Sequence, residues 1–255
     1  MIQLANVTSA LQRMEVCEAN ELYGETGRFR YLRFADDAVQ GAIDLRRPER
    51  IVLEYPRALI HLIDRNAPHF RRLFMIGHGI GTIAAHYADR EVIVAEIDGQ
   101  VVELSRTYFR YRRDNVLIGD GRQLLAEQAD GRLDSLVLDA FTKEGTPHHL
   151  STLEFMRLAR DKLREPGLML LNLMGKGAGD KRVRAIHTAL AEVFPHKMAF
   201  TLPGKEPSEQ RNMLLAGSAH PLAYDPKAMA GFAEIALEPG FAPRDRGSSP
   251  DEAAR

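Results

Sequence analysis

The stretch LFMIGHGIG, Leu73–Gly81, decides the fold, because a short apolar run passes directly into a glycine-rich turn. A helical pattern follows as far as Tyr87, and a second apolar run, Val92–Ala95, ends in Glu96. Glycines here permit a tight turn and let the backbone approach a ligand, while the next helix begins with unpaired N–H groups. Taken alone, the glycines also fit a plain strand-to-helix turn.

The same alternation of apolar runs and helical patterns continues along the chain. Further apolar runs are Val116–Ile118, Leu133–Leu138 and Leu168–Leu173, and helical patterns cover Gln100–Phe109, Arg122–Gln128, Thr152–Leu163 and Lys181–Val193. Continuous apolar strands alternating with helices predict an α/β protein with a parallel sheet covered on both faces. Two late strands, Lys197–Leu202 and Asn212–Gly217, favour the Rossmann-like, seven-stranded methyltransferase-type sheet.

The chain before this pattern predicts a small N-terminal unit. Residues Arg28–Phe34 and Ala38–Ile43 read as extended segments around a turn at 35–37, which is typical of a β-hairpin. A helix over Glu49–Arg65 follows, and Pro56 marks its start or a kink. We therefore expect a β-hairpin region with a connecting helix (1–65), a nucleoside-binding catalytic domain (66–241) and a disordered tail (242–255).

Composition narrows the classes of partner. The formal net charge is -1, which gives no indication of nucleic acid or an anionic membrane as a partner. Cys17 is the only cysteine, so neither an internal disulfide nor a thiolate zinc cluster is available, and the pair His148 and His149 lacks the spacing of a metal site. With no signal-like leader and no apolar run near the length of about 20 residues that spans a bilayer, we expect a cytoplasmic protein without a metal.

Acidic residues end the strands that follow the glycine turn. Glu96 lies about 20 residues beyond Gly77, where nucleotide-binding sheets place an acid for ribose hydroxyls, and Asp98 suits a helix cap better. Asp120, between two glycines, suits either an adenine amine or its own turn, and Asp139 ends the fourth strand. Ligands of open α/β sheets bind outside the carboxyl ends of the strands, so the sequence predicts a nucleotide site here.

From Arg28 to Ser218 the chain resembles the spermidine synthase (aminopropyltransferase) family, which has an N-terminal β-domain and a methyltransferase-like catalytic domain. The segments that carry the resemblance are Asp36–Gln40, Gly77–Thr82, Val94–Asp98, Gly119–Gly121, Leu138–Phe141 and Pro147–Phe155. The resemblance implies a transferase with decarboxylated S-adenosylmethionine or S-adenosylmethionine as co-substrate, an amine as acceptor, and a homodimer or homotetramer.

The resemblance also assigns roles. It implies that Gln40 reaches the nucleoside, that Glu96 binds ribose and that Asp120 binds adenine. The other nucleoside-binding residues that it implies are Gly77, Gly79, Gly81, Ile97, Gly121 and Asp139. We hypothesise that Asp139 and Glu144 are catalytic: Asp139 contacts the cationic tail of the co-substrate or the attacking amine, and Glu144 assists as a base or cation anchor.

Two positions depart from that family. Ile80 stands in the glycine loop where its members usually carry an aspartate, and Thr142 stands where a second aspartate would follow Asp139. A solvated Glu144 and an Asp139 that only caps a turn are the structural alternatives. An S-adenosylmethionine-dependent methyltransferase and a non-catalytic nucleoside-binding protein are the functional alternatives to aminopropyl transfer.

Overall fold

The computed structural model describes residues 1–34, 38–142, 145–204, 206 and 208–247. Its N-terminal part is a four-stranded antiparallel sheet in the order β1-β2-β3-β4. The strands are β1 (Ile2–Thr8), β2 (Arg13–Leu22), β3 (Glu25–Phe34) and β4 (Val39–Asp44). The predicted hairpin corresponds to the pair β3 and β4, and its turn at 35–37 lies outside the described residues.

The larger sheet has the strand order β12-β10-β11-β9-β8-β5-β6-β7. The strands are β5 (Arg72–Ile76), β6 (Glu91–Glu96), β7 (Val116–Ile118), β8 (Leu133–Leu138), β9 (Leu163–Gly175), β10 (His196–Thr201), β11 (Arg211–Ser218) and β12 (Ala233–Glu234). Strands β5 to β9 pair in parallel, whereas β11 runs antiparallel to β9 and β10. The predicted methyltransferase-type order is confirmed, with β12 as an eighth strand at the edge.

Helices cover both faces of this sheet. They are α1 (Glu54–Asn66), α2 (Thr82–His86), α3 (Gly99–Tyr108), α4 (Gly121–Ala126), α5 (Leu153–Lys162) and α6 (Lys181–Val193). One face packs against α4, α5 and α6, and the other against α1 and α2. None of the helices within the described ranges combines the length and apolarity that crossing a membrane requires.

Helix α3 joins the two sheets. Its Val101 and Leu104 pack in one cluster with Met14, Leu32 and Ile80, so side chains of β2, β3 and the glycine loop share a core with it. Removal of this apolar surface from water holds the N-terminal sheet against the larger sheet beside the carboxyl ends of its strands.

The expected tail begins with residues that make defined contacts. The backbone N–H of Leu153 donates to the carbonyl oxygen of Pro243 at 2.8 Å, and the N–H of Asp245 donates to Glu154 at 2.9 Å. The Asp245 carboxylate accepts two hydrogen bonds from the Arg122 guanidinium at 2.8 and 2.6 Å. Residues 243 and 245 therefore contact the first turn of α5 in this structure, while 248–255 lie outside the described residues, and the expected disorder of the tail stays a prediction.

The pair of Asp245 and Arg122 gives a stability prediction. We expect Asp245→Ala to lower the free energy of unfolding by about 1–2 kcal/mol, because a bidentate, half-buried guanidinium loses its partner. Urea denaturation of the purified chain measures this difference. Arg246→Ala, an exposed neighbour, is the control and should change stability by less than about 0.5 kcal/mol. Equal losses in the two variants would contradict the pairing.

Candidate active site

A cavity of about 330 Å³ opens at the carboxyl ends of β5, β6 and β8. It brings together most of the residues that the sequence predicted for the site: Gln40, Gly77, Gly79, Glu96, Ile97, Asp120, Gly121 and Asp139. Gly81 does not line it. The predicted catalytic residue Glu144 lies outside the described residues.

The glycine loop needs glycine for two different physical reasons. Gly77 has a φ of 99°, and a Cβ placed on it would lie 2.1 Å from the carbonyl oxygen of Asp139. Gly81 has a φ of 83°, and its Cβ would lie 2.3 Å from the ring of Tyr111. Gly77 therefore lets β5 and β8 approach, whereas Gly81 allows the turn into α2 and does not face the cavity.

Glu96 is a buried carboxylate fixed by the backbone. One oxygen accepts the N–H of His78 and the other accepts the N–H of Asp98, both at 2.9 Å. Burial raises the pKa of Glu96, although the hydrogen bonds from Asp98 and His78 oppose this rise. Each oxygen keeps a lone pair, so two neighbouring hydroxyls could bind. Asp98 caps α3 through the N–H of Gln100, as the sequence indicated.

Asp120 serves its own turn and also faces the cavity. Its Oδ1 accepts the N–H groups of Arg122 and Gln123 at 3.0 Å, which caps α4. Its Oδ2 lies 2.7 Å from Nε2 of His149. Burial raises the pKa of Asp120, but the hydrogen bonds from Gln123 and His149 outweigh burial and lower it. His149 therefore contacts a residue of the site and lines the cavity. The sequence did not indicate this position for His149.

Asp139 lies at the end of a chain of amides. The Nδ2 of Asn172 donates to its Oδ1 at 2.8 Å, and the Nδ2 of Asn212 donates in turn to Asn172 at 2.9 Å. The hydroxyl oxygen of Tyr55 lies 3.2 Å from the carbonyl oxygen of Gln40. The same hydroxyl also hydrogen-bonds to the Asp139 carboxylate. Burial raises the pKa of Asp139 to about 6, against the hydrogen bonds from Asn172 and Tyr55 that lower it.

Two side chains of the glycine loop turn away from solvent. Nε2 of His78 lies 2.8 Å from Oγ of Ser105, and the ring packs edge-on against Tyr111. Burial, followed by the charge of Arg106, lowers the pKa of His78 to about 4, so the imidazole is neutral. Ile80 is 5% exposed and packs against β4, where a Cβ on Gly41 would lie 2.6 Å from it.

The N-terminal sheet completes the cavity. Oγ of Ser9, in the turn between β1 and β2, donates to the Asp98 carboxylate at 2.5 Å. This contact places Leu11 and Gln12 at the wall of the cavity, and Phe34 and Gln40 add to it from β3 and β4. The site is therefore built from both sheets.

Sequence reasoning missed Tyr55, Asn172 and His149 as site residues. Asn172 had a signal, because it is a polar residue inside the apolar run Leu168–Leu173 and is only 1% exposed. A buried amide in such a strand needs polar partners, which lie at the site. Across the described ranges, no group of His, Cys, Asp and Glu side chains is arranged to hold a metal ion.

Two glycines of the loop give a matched test. We expect Gly77→Ala to lower the free energy of unfolding by about 2–4 kcal/mol, because left-handed strain adds to overlap with the Asp139 backbone. Gly79 has a φ of 54°, but its Cβ would meet nothing closer than 3.7 Å. Gly79→Ala should therefore cost only about 1 kcal/mol. Chemical denaturation measures both, and equal losses would show that the close approach does not matter.

Comparison with known protein families identifies relatives of this chain. Residues 53–210 match the spermine/spermidine synthase domain. The chain is 28% identical to a polyamine aminopropyltransferase of Thermococcus kodakarensis over 58% of its length and 57% of that protein, and 26% identical to one of Chromobacterium violaceum over 67% and 66%. The matched regions thus span less than two thirds of these relatives.

A solved structure extends the similarity to the whole fold. A probable spermidine synthase from Corynebacterium glutamicum superposes with a TM-score of 0.81 at 19% identity, over 96% of this chain and 97% of that one. Because the family domain matches more than half of the chain, including the glycine loop and the three strand-end acids, the chain belongs to the spermine/spermidine synthase family.

Proposed function

We propose that the protein transfers the aminopropyl group of decarboxylated S-adenosylmethionine to an amine. The observation that carries this proposal is the charge of the cavity. The described residues that line it include the carboxylates of Glu96, Asp120 and Asp139, and neither lysine nor arginine. A wall with this charge favours a ligand that carries positive charge and no carboxylate. A sulfonium nucleoside with a free amine has these properties.

The nucleoside end of the cavity suits a ribose and a base. Backbone N–H groups hold the Glu96 carboxylate in place, so it need not reorganise when it accepts ribose hydroxyls. Oδ2 of Asp120 would accept an adenine amine while sharing its second lone pair with His149. Because Gly77 and Gly79 have no side chains, a ligand can approach the backbone of the glycine loop beside Glu96 and Asp120.

The reacting end is formed by Asp139 and its neighbours. An amine nitrogen attacks the carbon beside the sulfonium, the C–S bond breaks with its electron pair on sulfur, and a neutral thioether nucleoside leaves. The proton of the attacking nitrogen goes to the Asp139 carboxylate, which Asn172 holds at 2.8 Å. Orientation and proton transfer are the contributions that the chain must supply, because a sulfonium is already a good leaving group.

The family's relatives support this reading, since those compared are named polyamine aminopropyltransferases. A methyl donor with an intact carboxylate has no lysine or arginine partner among the described lining residues. The expected homodimer or homotetramer and the cytoplasmic location stay predictions, and light scattering of the purified chain tests the first.

The choice of donor gives the direct test. We expect decarboxylated S-adenosylmethionine to bind about tenfold or more tightly than S-adenosylmethionine, because the carboxylate would lie unpaired near three acids. Titration calorimetry measures both affinities, and release of methylthioadenosine in the presence of amines measures transfer. Tighter binding of S-adenosylmethionine with methyl transfer would replace the proposal by a methyltransferase. Binding without transfer to any amine would indicate a non-catalytic protein.

The role of Asp139 gives a pH prediction. Because the pKa of Asp139 is about 6 and only the carboxylate accepts a proton, kcat/KM should rise as pH increases through about 6. Asp139→Asn should lower turnover by about 100-fold and remove that inflection. Steady-state rates between pH 5 and 8, a range of about three units around this pKa, check both points.

A stability measurement separates the role of Asp139 from misfolding. A carboxyl group with a raised pKa binds its proton more tightly in the folded state, so the free energy of unfolding should fall as pH rises from about 4 to 6. Asp139→Asn should flatten this fall while the chain stays folded. Asp161→Asn, at an exposed position of α5, is the matched control. Unchanged turnover in Asp139→Asn would remove the proposed role.

A further inference from the structure

The amide chain that ends at Asp139 crosses three neighbouring strands of the larger sheet. The parallel register of β8 and β9 places Asp139, which directly follows β8, beside Asn172. In the antiparallel register of β9 and β11, Asn172 pairs with Leu214, so Asn212 is its diagonal neighbour on the same face. The proposed proton transfer uses Asp139 and Asn172 but gives no role to Asn212.

The hydrogen bonds of this chain all run in one direction. An ionised carboxylate only accepts hydrogen bonds, so Asn172 turns its Nδ2 toward Asp139, at 2.8 Å. The Oδ1 atom of the same amide then points away from Asp139 and needs a donor, because Asn172 is only 1% exposed. Nδ2 of Asn212 is this donor, at 2.9 Å. The Asn212 side chain therefore opposes a rotation of the Asn172 amide that would bring its oxygen toward Asp139.

The orientation of the Asn172 amide is linked to the protonation of Asp139. With Nδ2 toward Asp139, the amide stabilises the carboxylate, and this hydrogen bond opposes the burial that raises the pKa of Asp139 to about 6. With Oδ1 toward Asp139, the amide would accept a hydrogen bond from the protonated carboxyl group and repel the carboxylate. Asn212 favours the first orientation, because in the second its Nδ2 would face another N–H donor.

We propose that Asn212 is a positioning residue for the reaction: it holds the Asn172 amide with its nitrogen toward Asp139 and thereby keeps Asp139 in the form that accepts a proton. The inference rests on the proposed proton transfer to Asp139 and adds a residue to it. Neither Asn172 nor Asn212 is among the described residues that line the cavity. Asn212 consequently acts through Asn172 and not by contact with a substrate.

Other titratable groups face Asp139 or lie in the same cavity. Tyr55 contacts the carboxylate from α1, whereas β5 contributes Gly77 and β9 contributes Asn172, neither of which titrates. Residues 143 and 144 lie outside the described residues. All these groups stay the same when only position 212 is changed, so a difference between variants arises at that position. The other titratable residues that line the cavity, also unchanged, are His78, Glu96, Asp120 and His149.

Asn212→Leu tests this role, because leucine has a similar size and cannot donate a hydrogen bond. We expect the inflection of kcat/KM to move from about pH 6 upward by about one pH unit. Relative to the unmodified protein, kcat/KM should then be lower by about tenfold at pH 5 and about twofold at pH 7, and about equal at pH 9. Release of methylthioadenosine from decarboxylated S-adenosylmethionine, with putrescine as acceptor, measures these rates. A loss of the same size at every pH would show a purely structural role and overturn the proposal.

The pH dependence of stability measures the same link without catalysis. A carboxyl group whose pKa is raised by folding adds stability below its unfolded pKa, and this stability is lost as pH rises through the folded pKa. In the unmodified protein the fall should end near pH 6, whereas in Asn212→Leu it should extend to about pH 7. Urea denaturation at each pH measures the fall. In the Asp139→Asn background, Asn212→Leu should leave the pH dependence unchanged.

A double-mutant cycle tests whether the effect passes through Asn172. Asn172→Leu removes the donor to Asp139, so the further addition of Asn212→Leu should move the inflection by less than about 0.2 pH unit. An equal shift in both backgrounds would overturn the proposal. If Asn212→Leu does not fold, Asn212→Asp has the same shape and presents only acceptors to Asn172. It should move the inflection further with Asn172 present than in Asn172→Leu, where only its charge acts.

The outcomes separate this inference from the proposed function. If an amine releases methylthioadenosine and neither pH profile shifts in the Asn212 variants, the role of Asn212 is overturned and aminopropyl transfer stands. If no amine releases methylthioadenosine but the stability profile shifts as expected, the link between Asn212 and Asp139 stands and the proposed function fails.

Discussion

The structure depends on the close backbone contact between Gly77 and Asp139. The N–H of Asp139 donates to the carbonyl oxygen of Ile76 at 2.8 Å, and the space where Gly77 lacks a side chain is occupied by the carbonyl group of Asp139. A Cβ at this point would separate the ends of β5 and β8. The glycine loop and the Asp139 carboxylate consequently share one wall of the cavity, so the proposed nucleoside over the loop would lie beside Asp139.

The three carboxylates of the site differ because their surroundings differ. Backbone N–H groups hold Glu96 as a buried acceptor, and helix-capping N–H groups with His149 keep the pKa of Asp120 low. Asp139 has a neutral amide and a neutral phenol as partners, so burial dominates and its pKa rises to about 6. A carboxylate with a pKa of about 6 suits the proton acceptor proposed at Asp139. Burial raises the pKa of Glu96 as well, but both of its oxygens already accept backbone N–H groups, so Glu96 and Asp120 are suited to binding.

Local patterns in the sequence predicted the parallel part of the larger sheet and most of the residues that line the cavity, because β5, β6, β7 and β8 contain apolar runs that are followed within two residues by glycine or an acid. The N-terminal sheet was only half predicted, as a hairpin. In β2, Met14 and Val16 are buried on either side of the more exposed Glu15, but Cys17 is buried as well, so the alternation is short, and β1 is largely exposed and carries no such pattern. Edge strand β12 has two exposed residues and gave no signal. The contacts of Ser9 and Asp245 join distant segments, and no local pattern encodes such pairs.

Ile80 shows how one departure from the family pattern changes the electrostatics of the site. An acid at this position would have to be buried between α3 and β4, at a point 5% exposed and surrounded by apolar side chains. Burying a charge there is unfavourable, whereas isoleucine helps to fasten the N-terminal sheet to the loop. Among the described lining residues, Asp139 is then the carboxylate beside the proposed amine, and the amide chain of Asn172 and Asn212 already holds it in place.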